Sequence, residues 1–380
     1  MFTLPSLNFF SSKKLPIMGI DITNSAVKLL EIKPYGNQLE VASYGVAPLE
    51  KGAIVDRRIK DYPAVIRSIK AVINSTQPTT QRTAVAVPAA AVMTRTLSLP
   101  QALDDEAMEA LVMLEAEQHI PYPLNEVAID FQRLPANNPN DDNQPVLLVA
   151  CRKEVTEQLD NVLEAAGLEP KVTDVENFAM ERSLSLIINQ LPINKNHYKN
   201  ASATAQPSLQ TSLIAVADIG ATTNVFNVLC NGKIIYSREQ TFGGKQLTDA
   251  IKRHYQLPYA TAELAKQQGR LPAEYTLDLL APFKANLIQQ LERQLQLFYS
   301  ATAYTQIDHL ILAGGCSVIE NLPQEVQEQL GYATYLANPF AGMVLSDKIN
   351  TAALAKDAPA LMIACGLAIR GLARGACHDD

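Results

Sequence analysis

What most restricts the folds open to this chain is a pattern that it carries twice, roughly 200 residues apart. Residues 18–32 read MGIDITNSAVKLLEI: an apolar run ends on Asp21, small polar residues follow, and a second apolar run begins. Residues 214–229, IAVADIGATTNVFNVL, do the same around Asp218. The second run is short and β-branched near its start, so each copy reads as strand, turn and strand. Each copy then meets a glycine turn (YGNQ at 35–38, NGK at 231–233) and a third strand-like run. Two matching hairpins predict duplicated halves, each presenting one hairpin to a shared cleft.

A tight turn of small residues aims successive backbone N–H groups at one point and so forms an anion nest. The first turn offers Thr23, Asn24 and Ser25, the second Gly220, Ala221, Thr222 and Thr223, and the hydroxyls add donors. A carboxylate at the end of the first strand would repel a bare phosphate. Asp21 and Asp218 therefore make better chemical sense beside Mg²⁺, reached mostly through its waters. Lys28, placed to reach back across its hairpin, would meet a phosphate oxygen. One copy alone is no more than a β-turn with an Asp in it; the repetition turns the reading toward phosphate. Neither copy is a Walker A loop, and the strand after each turn excludes a Rossmann fingerprint. A third element, HLILAGGCSVIENL at 309–322, runs from a strand into Gly314 and Gly315. Ser317 is then the expected N-cap of a short helix. The paired glycines either admit a flat ligand close to the backbone or serve only the turn's dihedral angles.

Helices are predicted over 104–119, after a DDE cluster suited to a helix N-terminus; over 153–166, stopped by Gly167; and over 282–303, with an apolar stripe on one face. Mixed with the strands they give an α/β class. The polar, proline-containing stretch 191–212 reads as a linker and the patch 137–145 as a long hairpin loop. With 380 residues, 47% hydrophobic and 19% charged, the chain is long and apolar enough for two cored domains. A net charge of −7 argues against nucleic acid as a partner. Five scattered cysteines and five histidines without ligand spacing predict reduced thiols and no structural metal. No apolar run is expected to reach the roughly 20 residues that span a bilayer. The start, MFTLPSLNFFSSKKLP, lacks the order of a secretory signal and reads as a frayed terminus, with contact to a membrane or partner as the other reading. These features predict a cytoplasmic protein.

The order of DxxxxxxK hairpin, DIGATT hairpin and AGG turn resembles the actin, heat-shock ATPase and sugar kinase superfamily. The resemblance implies an actin-like (ribonuclease H-like) duplicated ATPase fold. The two hairpins would be its phosphate motifs, and Gly314–Gly315 would lie under adenosine. KVTDVENFAMERSL at 171–184 looks like the superfamily's first connecting motif, where an acidic residue positions the hydrolytic water. Glu176 matches best, with Asp174 second, and a plain helix-start carboxylate is the other reading of Glu176. FGGKQLTDAI at 242–251, with Gly243 and Gly244, and then AELAK resemble the stretch where Glu and Lys touch ribose and adenine; those are Glu263 and Lys266 here.

More narrowly, residues 16–371 resemble the PilM family of actin-like type IV pilus assembly proteins. GIDITNSAVKLLEI, VADIGATTNVFNVLCNGKIIYSREQTFGGKQLT, LILAGGCSVIENLP and LMIACGLAIRGL carry the likeness. It implies ATP and Mg²⁺ as ligands, slow turnover at most, and a role in pilus biogenesis and twitching motility. It also implies docking of the short cytoplasmic N-terminal peptide of a PilN-type membrane protein, contact with other platform proteins, room for self-association, and only indirect attachment to the inner membrane. The implied plan is an N-terminal segment 1–16, a first-half core 17–84 and an inserted FtsA-type subdomain 85–168. The chain would return to the core over 169–190, cross the linker 191–212, build a second half over 213–355, and come back to the first half over 356–380. DIT in place of the common DxG puts Thr23 where a glycine is usual, which leaves fast hydrolysis in question. Two other readings compete: an FtsA-like division protein, whose membrane helix after a linker is not expected here, and a small-molecule kinase, for which no catalytic Asp is evident.

Overall fold

The computed structural model describes residues 16–135, 141–188, 190–192 and 212–372. The N-terminal segment before residue 16, the heart of the 191–212 linker, most of the first part of the 137–145 loop and the tail after 372 lie outside the described residues. The chain divides into two units, one made of residues up to Ala179 plus those from Ile363, the other of Met180–Met362.

The first unit opens with β1 (Met18–Ile22), β2 (Ala26–Tyr35) and β3 (Gln38–Pro48), an antiparallel meander. A two-residue-strand hairpin, β4 (Ile54–Val55) and β5 (Arg58–Ile59), leads to helix α1 (Tyr62–Thr76). Asp61 starts that helix by accepting a hydrogen bond from the Ala64 N–H, and Gln77 ends it in the left-handed region. Strand β6 (Arg82–Val87) pairs in parallel with β1, and β10 (Glu169–Val175) pairs in parallel with β6. Among the strands of this unit the order is β10-β6-β1-β2-β3.

Between β6 and β10 the chain builds β7 (Val92–Pro100), α2 (Asp105–His119), β8 (Val127–Arg133) and β9 (Asn143–Arg152). These three strands form a separate antiparallel sheet ordered β7-β9-β8. Its own core holds Leu97, Met108, Val112, Ala116, Val146 and Leu148. That separately cored piece is narrower than 85–168. Val85 and Val87 of β6, and Leu159, Val162 and Leu163 of α3 (Lys153–Ala165), belong instead to the core under the main sheet. The 104–119 helix prediction is met within one residue, with Asp104 as its cap.

The second unit repeats the arrangement. Strands β11 (Leu213–Ile219), β12 (Asn224–Cys230) and β13 (Lys233–Gln240) form the meander. Parallel strands β14 (His309–Ala313) and β15 (Ala333–Leu336) complete the order β13-β12-β11-β14-β15. This is the same strand sequence as in the first unit, read from the meander outward, which is what the repeated motif predicts. Helices α5 (Gly244–Tyr255) and α6 (Tyr259–Gln268) precede the long α7 (Ala281–Ala301), which buries Leu287, Leu291, Leu295 and Phe298. Helix α8 (Leu322–Leu330) stands between β14 and β15.

The units are joined through α4 (Glu176–Ile188) and α10 (Met362–Arg370), within which the division between them falls. The helical stretch from α9 (Thr351–Asp357) through α10, 20 residues in all, is long and apolar enough to span a bilayer, against the expectation that no such run exists. Its most apolar window is 67% buried inside the protein, which makes it a core element.

Candidate functional site

In the second unit, four separate stretches of sequence meet at the carboxyl end of β11. The turn Gly220–Thr223 is closed by the Gly220 N–H donating to Thr223 O at 2.8 Å. The FGGK loop docks on this turn, backbone to backbone: Gly244 N–H donates to Gly220 O at 3.1 Å and Lys245 N–H to Ala221 O at 2.8 Å. Only a glycine fits at 243, because a Cβ there would sit 2.5 Å from Gly220 O and 2.6 Å from Ala221 C. On the other side, β14 runs parallel to β11 with Asp218 opposite Ala313, so Gly314 follows directly beside the turn. Gly314 has φ +82°, and a Cβ would come within 2.6 Å of Asp218 Oδ1. Gly315 faces open space.

Ser317 does not cap a helix, contrary to expectation. Its hydroxyl donates to Gly314 O at 2.6 Å and closes the turn, and the helix begins only at Leu322, with Asn321 as its cap. The reason is local: a hydroxyl three residues after a left-handed glycine finds that carbonyl first.

Glu263 and Lys266 are more than a surface pair. Lys266 Nζ donates to Glu263 Oε2 at 2.8 Å, to Thr248 Oγ1 at 2.8 Å and to Gly244 O at 3.4 Å. Thr248 Oγ1 also lies 2.5 Å from Glu263 Oε2, and Gln267 donates to Glu263 Oε1 at 2.9 Å. Burial works to raise the Glu263 carboxyl, but Lys266 beside it and these hydrogen bonds outweigh that and hold it below the usual range. The network ties the α5–α6 pair to the FGGK loop. Cys316, which sequence reasoning passed over, sits at the centre, its Sγ 3.1 Å from Gly220 O. Burial pushes its thiol up to about 11, so it is a neutral packing group. The cue for Thr248 was its place one helical turn after Gly244; nothing in the sequence pointed to Cys316.

In the first unit, Asp21 and Lys28 face each other in register and form an ion pair of 2.8 Å. Thr23 keeps out of the left-handed region. Its hydroxyl donates to Ala26 O at 2.9 Å and accepts from the Ala26 N–H at 3.2 Å, so it closes the turn through Asn24 and Ser25. The β-sheet register places this turn and Glu176 on one edge. Ile20 pairs with Val85 and Val87 with Val175, so two strand spacings, about 10 Å, separate the ends of β1 and β10. Ligands of α/β sheets collect at such carboxyl ends.

Glu176 is the first residue of α4, and Arg57 Nη1 donates to its Oε1 at 2.9 Å. Asp174, the other carboxylate in that stretch, is 2% exposed. It pairs with Arg370 at 2.6 Å and accepts from the Val175 N–H at 2.8 Å. Asp174 is thereby committed to fixing α10 against β10, which leaves Glu176 as the carboxylate at the edge. Among the described residues no group of three or more His, Cys, Asp or Glu could hold a metal.

The model of a family described as type IV pilus assembly protein PilM matches residues 19–372. A solved PilM–PilN type IV pilus biogenesis complex matches with 26% identity and a TM-score of 0.73, covering 94% of this chain and 99% of that one. The ethanolamine utilization protein EutJ of Carboxydothermus hydrogenoformans matches with 14% identity and a TM-score of 0.51, covering 94% and 91%. The fold is the actin-like one.

Proposed function

Because this chain belongs to the PilM family of type IV pilus assembly proteins, we propose that it is a nucleotide-dependent docking protein that binds Mg·ATP and the cytoplasmic tail of a PilN-type membrane protein. The observation that carries the nucleotide half is the convergence of the Gly220–Thr223 turn, the FGGK loop, the Gly314 turn and the Glu263–Lys266 pair on the end of β11. Four stretches that are distant in sequence would have no reason to share one backbone-lined spot if each were only a turn.

In this reading the turn N–H groups hold phosphate, Lys28 adds a charge, Glu263 and Lys266 take the nucleoside, and Gly315 leaves room for its face. Among the described residues neither Asp21 nor Asp218 belongs to a group of three or more His, Cys, Asp or Glu that could hold a metal. That donor set fits Mg²⁺ held through waters and phosphate oxygens, not chelated by the protein. When bound, the ion would offset phosphate charge. Glu176 positions the hydrolytic water, and turnover stays well below the typical enzyme rate of about 10 per second.

The partner half rests on family membership and on the solved relative being a complex with PilN. The inserted sheet has two edge strands, β7 and β8, to which an extended peptide could add. Helix α2 turns Met108, Val112 and Ala116 inward and leaves Met113 37% and Leu114 57% exposed. A peptide of few residues needs such apolar anchors. The protein would then stay in the cytoplasm and be held at the inner membrane by its partner, in service of pilus biogenesis and twitching motility.

Fluorescence anisotropy with a labelled PilN N-terminal peptide and the full chain tests this half. Binding at about micromolar affinity or tighter, near −8 kcal/mol, is expected. No binding with or without ATP would remove the docking role.

A further inference from the structure

We propose that Arg57 is a latch on Glu176, holding the water-positioning carboxylate in an ion pair and so setting the slow turnover of this protein. The inference rests on the nucleotide reading above and adds a residue to it.

The first observation is the pair itself. Arg57 lies 119 residues before Glu176 in the sequence, yet its Nη1 donates to Glu176 Oε1 at 2.9 Å. The side chains are 21% and 15% exposed, so water screens the pair less than it would at an open surface. A carboxylate that accepts from a guanidinium is firmly anchored in one orientation.

The second observation is independent of the pair. Strands β4 and β5 pair Val55 with Arg58 and Ile54 with Ile59, which leaves Asp56 and Arg57 as the whole turn. Both have positive φ, +50° and +61°. Two consecutive left-handed residues are the φ pattern of a type I′ hairpin, where Asn-Gly or Asp-Gly is usual. Asp tolerates the conformation; a long side chain such as Arg does not favour it. A glycine at 57 would relieve the backbone. The turn instead carries a long, permanently charged, fork-shaped donor that reaches Glu176. Strained backbone at a residue that grips a functional carboxylate is the arrangement expected of a two-state element.

In hydrolysis the water oxygen bonds to the terminal phosphorus of ATP while the bridging P–O bond breaks. The electron pair stays on the ADP oxygen, and the water's proton passes by way of Glu176 to the released phosphate. The Glu176 Oε1 can take that part only when it is turned to water and away from Arg57. Opening the latch and relaxing the turn are then one event. A partner or nucleotide that draws the β4–β5 hairpin away would switch turnover on.

The test uses Arg57→Gly in the full chain, a residue that suits this backbone and keeps the turn. Arg57→Asn serves as a second variant if the first does not fold. Calorimetry gives the ATP affinity and phosphate release the turnover. The latch predicts an unchanged Kd and a turnover raised about tenfold, equivalent to about 1.4 kcal/mol. It predicts a near wild-type rate for Arg57→Lys, and no effect of the glycine in a Glu176→Gln background, because the two residues then act as one unit. A turnover that falls or does not change, with ATP still bound, overturns the latch and leaves the nucleotide reading standing. Failure of the wild-type chain to bind ATP overturns both.

Discussion

Replacing Gly314 and Gly315 by alanine, one at a time, should give opposite results although the two are neighbours. Gly314 holds φ +82°, and a methyl there would meet Asp218 Oδ1 and Ile219 C, each at 2.6 Å. The left-handed conformation costs an alanine about 1–2 kcal/mol. Forcing a methyl against backbone in packed surroundings costs about 1–3 kcal/mol more. Its N–H also donates to Pro359 O at 2.7 Å, so the turn has little freedom to move aside. The sum is about 2–5 kcal/mol, and in a unit of this size each kcal/mol lowers the midpoint by about 2–4 °C. Gly314→Ala should therefore melt about 4–20 °C below the parent. Gly315 has nothing within 4 Å of a Cβ and no left-handed φ, so Gly315→Ala should change stability by less than about 0.5 kcal/mol. Differential scanning calorimetry on both variants decides it. Equal shifts, or a larger one for Gly315→Ala, would refute the packing described for this turn. A fully stable Gly315→Ala that binds ATP poorly would place the ligand's face against residue 315.

Three further outcomes are expected. Burial raises the Asp130 carboxyl to about 6, against the pull of the Phe131 N–H and Arg370. Protonation thus favours the folded state between about pH 4 and 6. That contribution is lost as pH rises through 6, so Asp130→Asn should stabilise the protein by about 1–2 kcal/mol at pH 7 and by little at pH 4 in urea titrations, allowing for partial exposure. Lys266→Met leaves Glu263 with only Thr248 and Gln267 as partners and should cost about 1–3 kcal/mol in denaturant unfolding, while weakening ATP binding in calorimetry. Leu114→Asp, on the exposed side of α2, should weaken the PilN peptide at least about tenfold in anisotropy with no loss of thermal stability, as fits a side chain 57% exposed.

The duplicated fold was legible because its signature is local. Each hairpin is continuous in sequence, and so the β1–β2 and β11–β12 pairs are legible without any long-range contact. The convergence of DIGATT, FGGK and AGG was foreseen only through resemblance, since packing between distant loops leaves no periodic trace. Ser317 was misplaced because its partner, Gly314 O, depends on a backbone turn that propensity does not encode. The α2 residues divided in a way the pattern could not show: Met108 is core, while Met113 and Leu114 point outward. The 85–168 span likewise mixes two cores, since Val85, Val87 and α3 pack under the main sheet. Point substitution is for that reason a cleaner probe of peptide docking than removal of the whole span. Arg57 had no sequence cue at all, because its ion pair with Glu176 spans 119 residues.

The central claim is that the turn at the end of β11 holds Mg·ATP. Isothermal titration calorimetry of the full chain and of Asp218→Ala, with ATP in the presence and absence of Mg²⁺, tests it most directly. The account predicts saturable, Mg²⁺-dependent binding by the parent and a loss of at least about tenfold, or about 1.4 kcal/mol, in the variant. Equal affinity in the two proteins, or no heat from the parent at millimolar ATP, would contradict it.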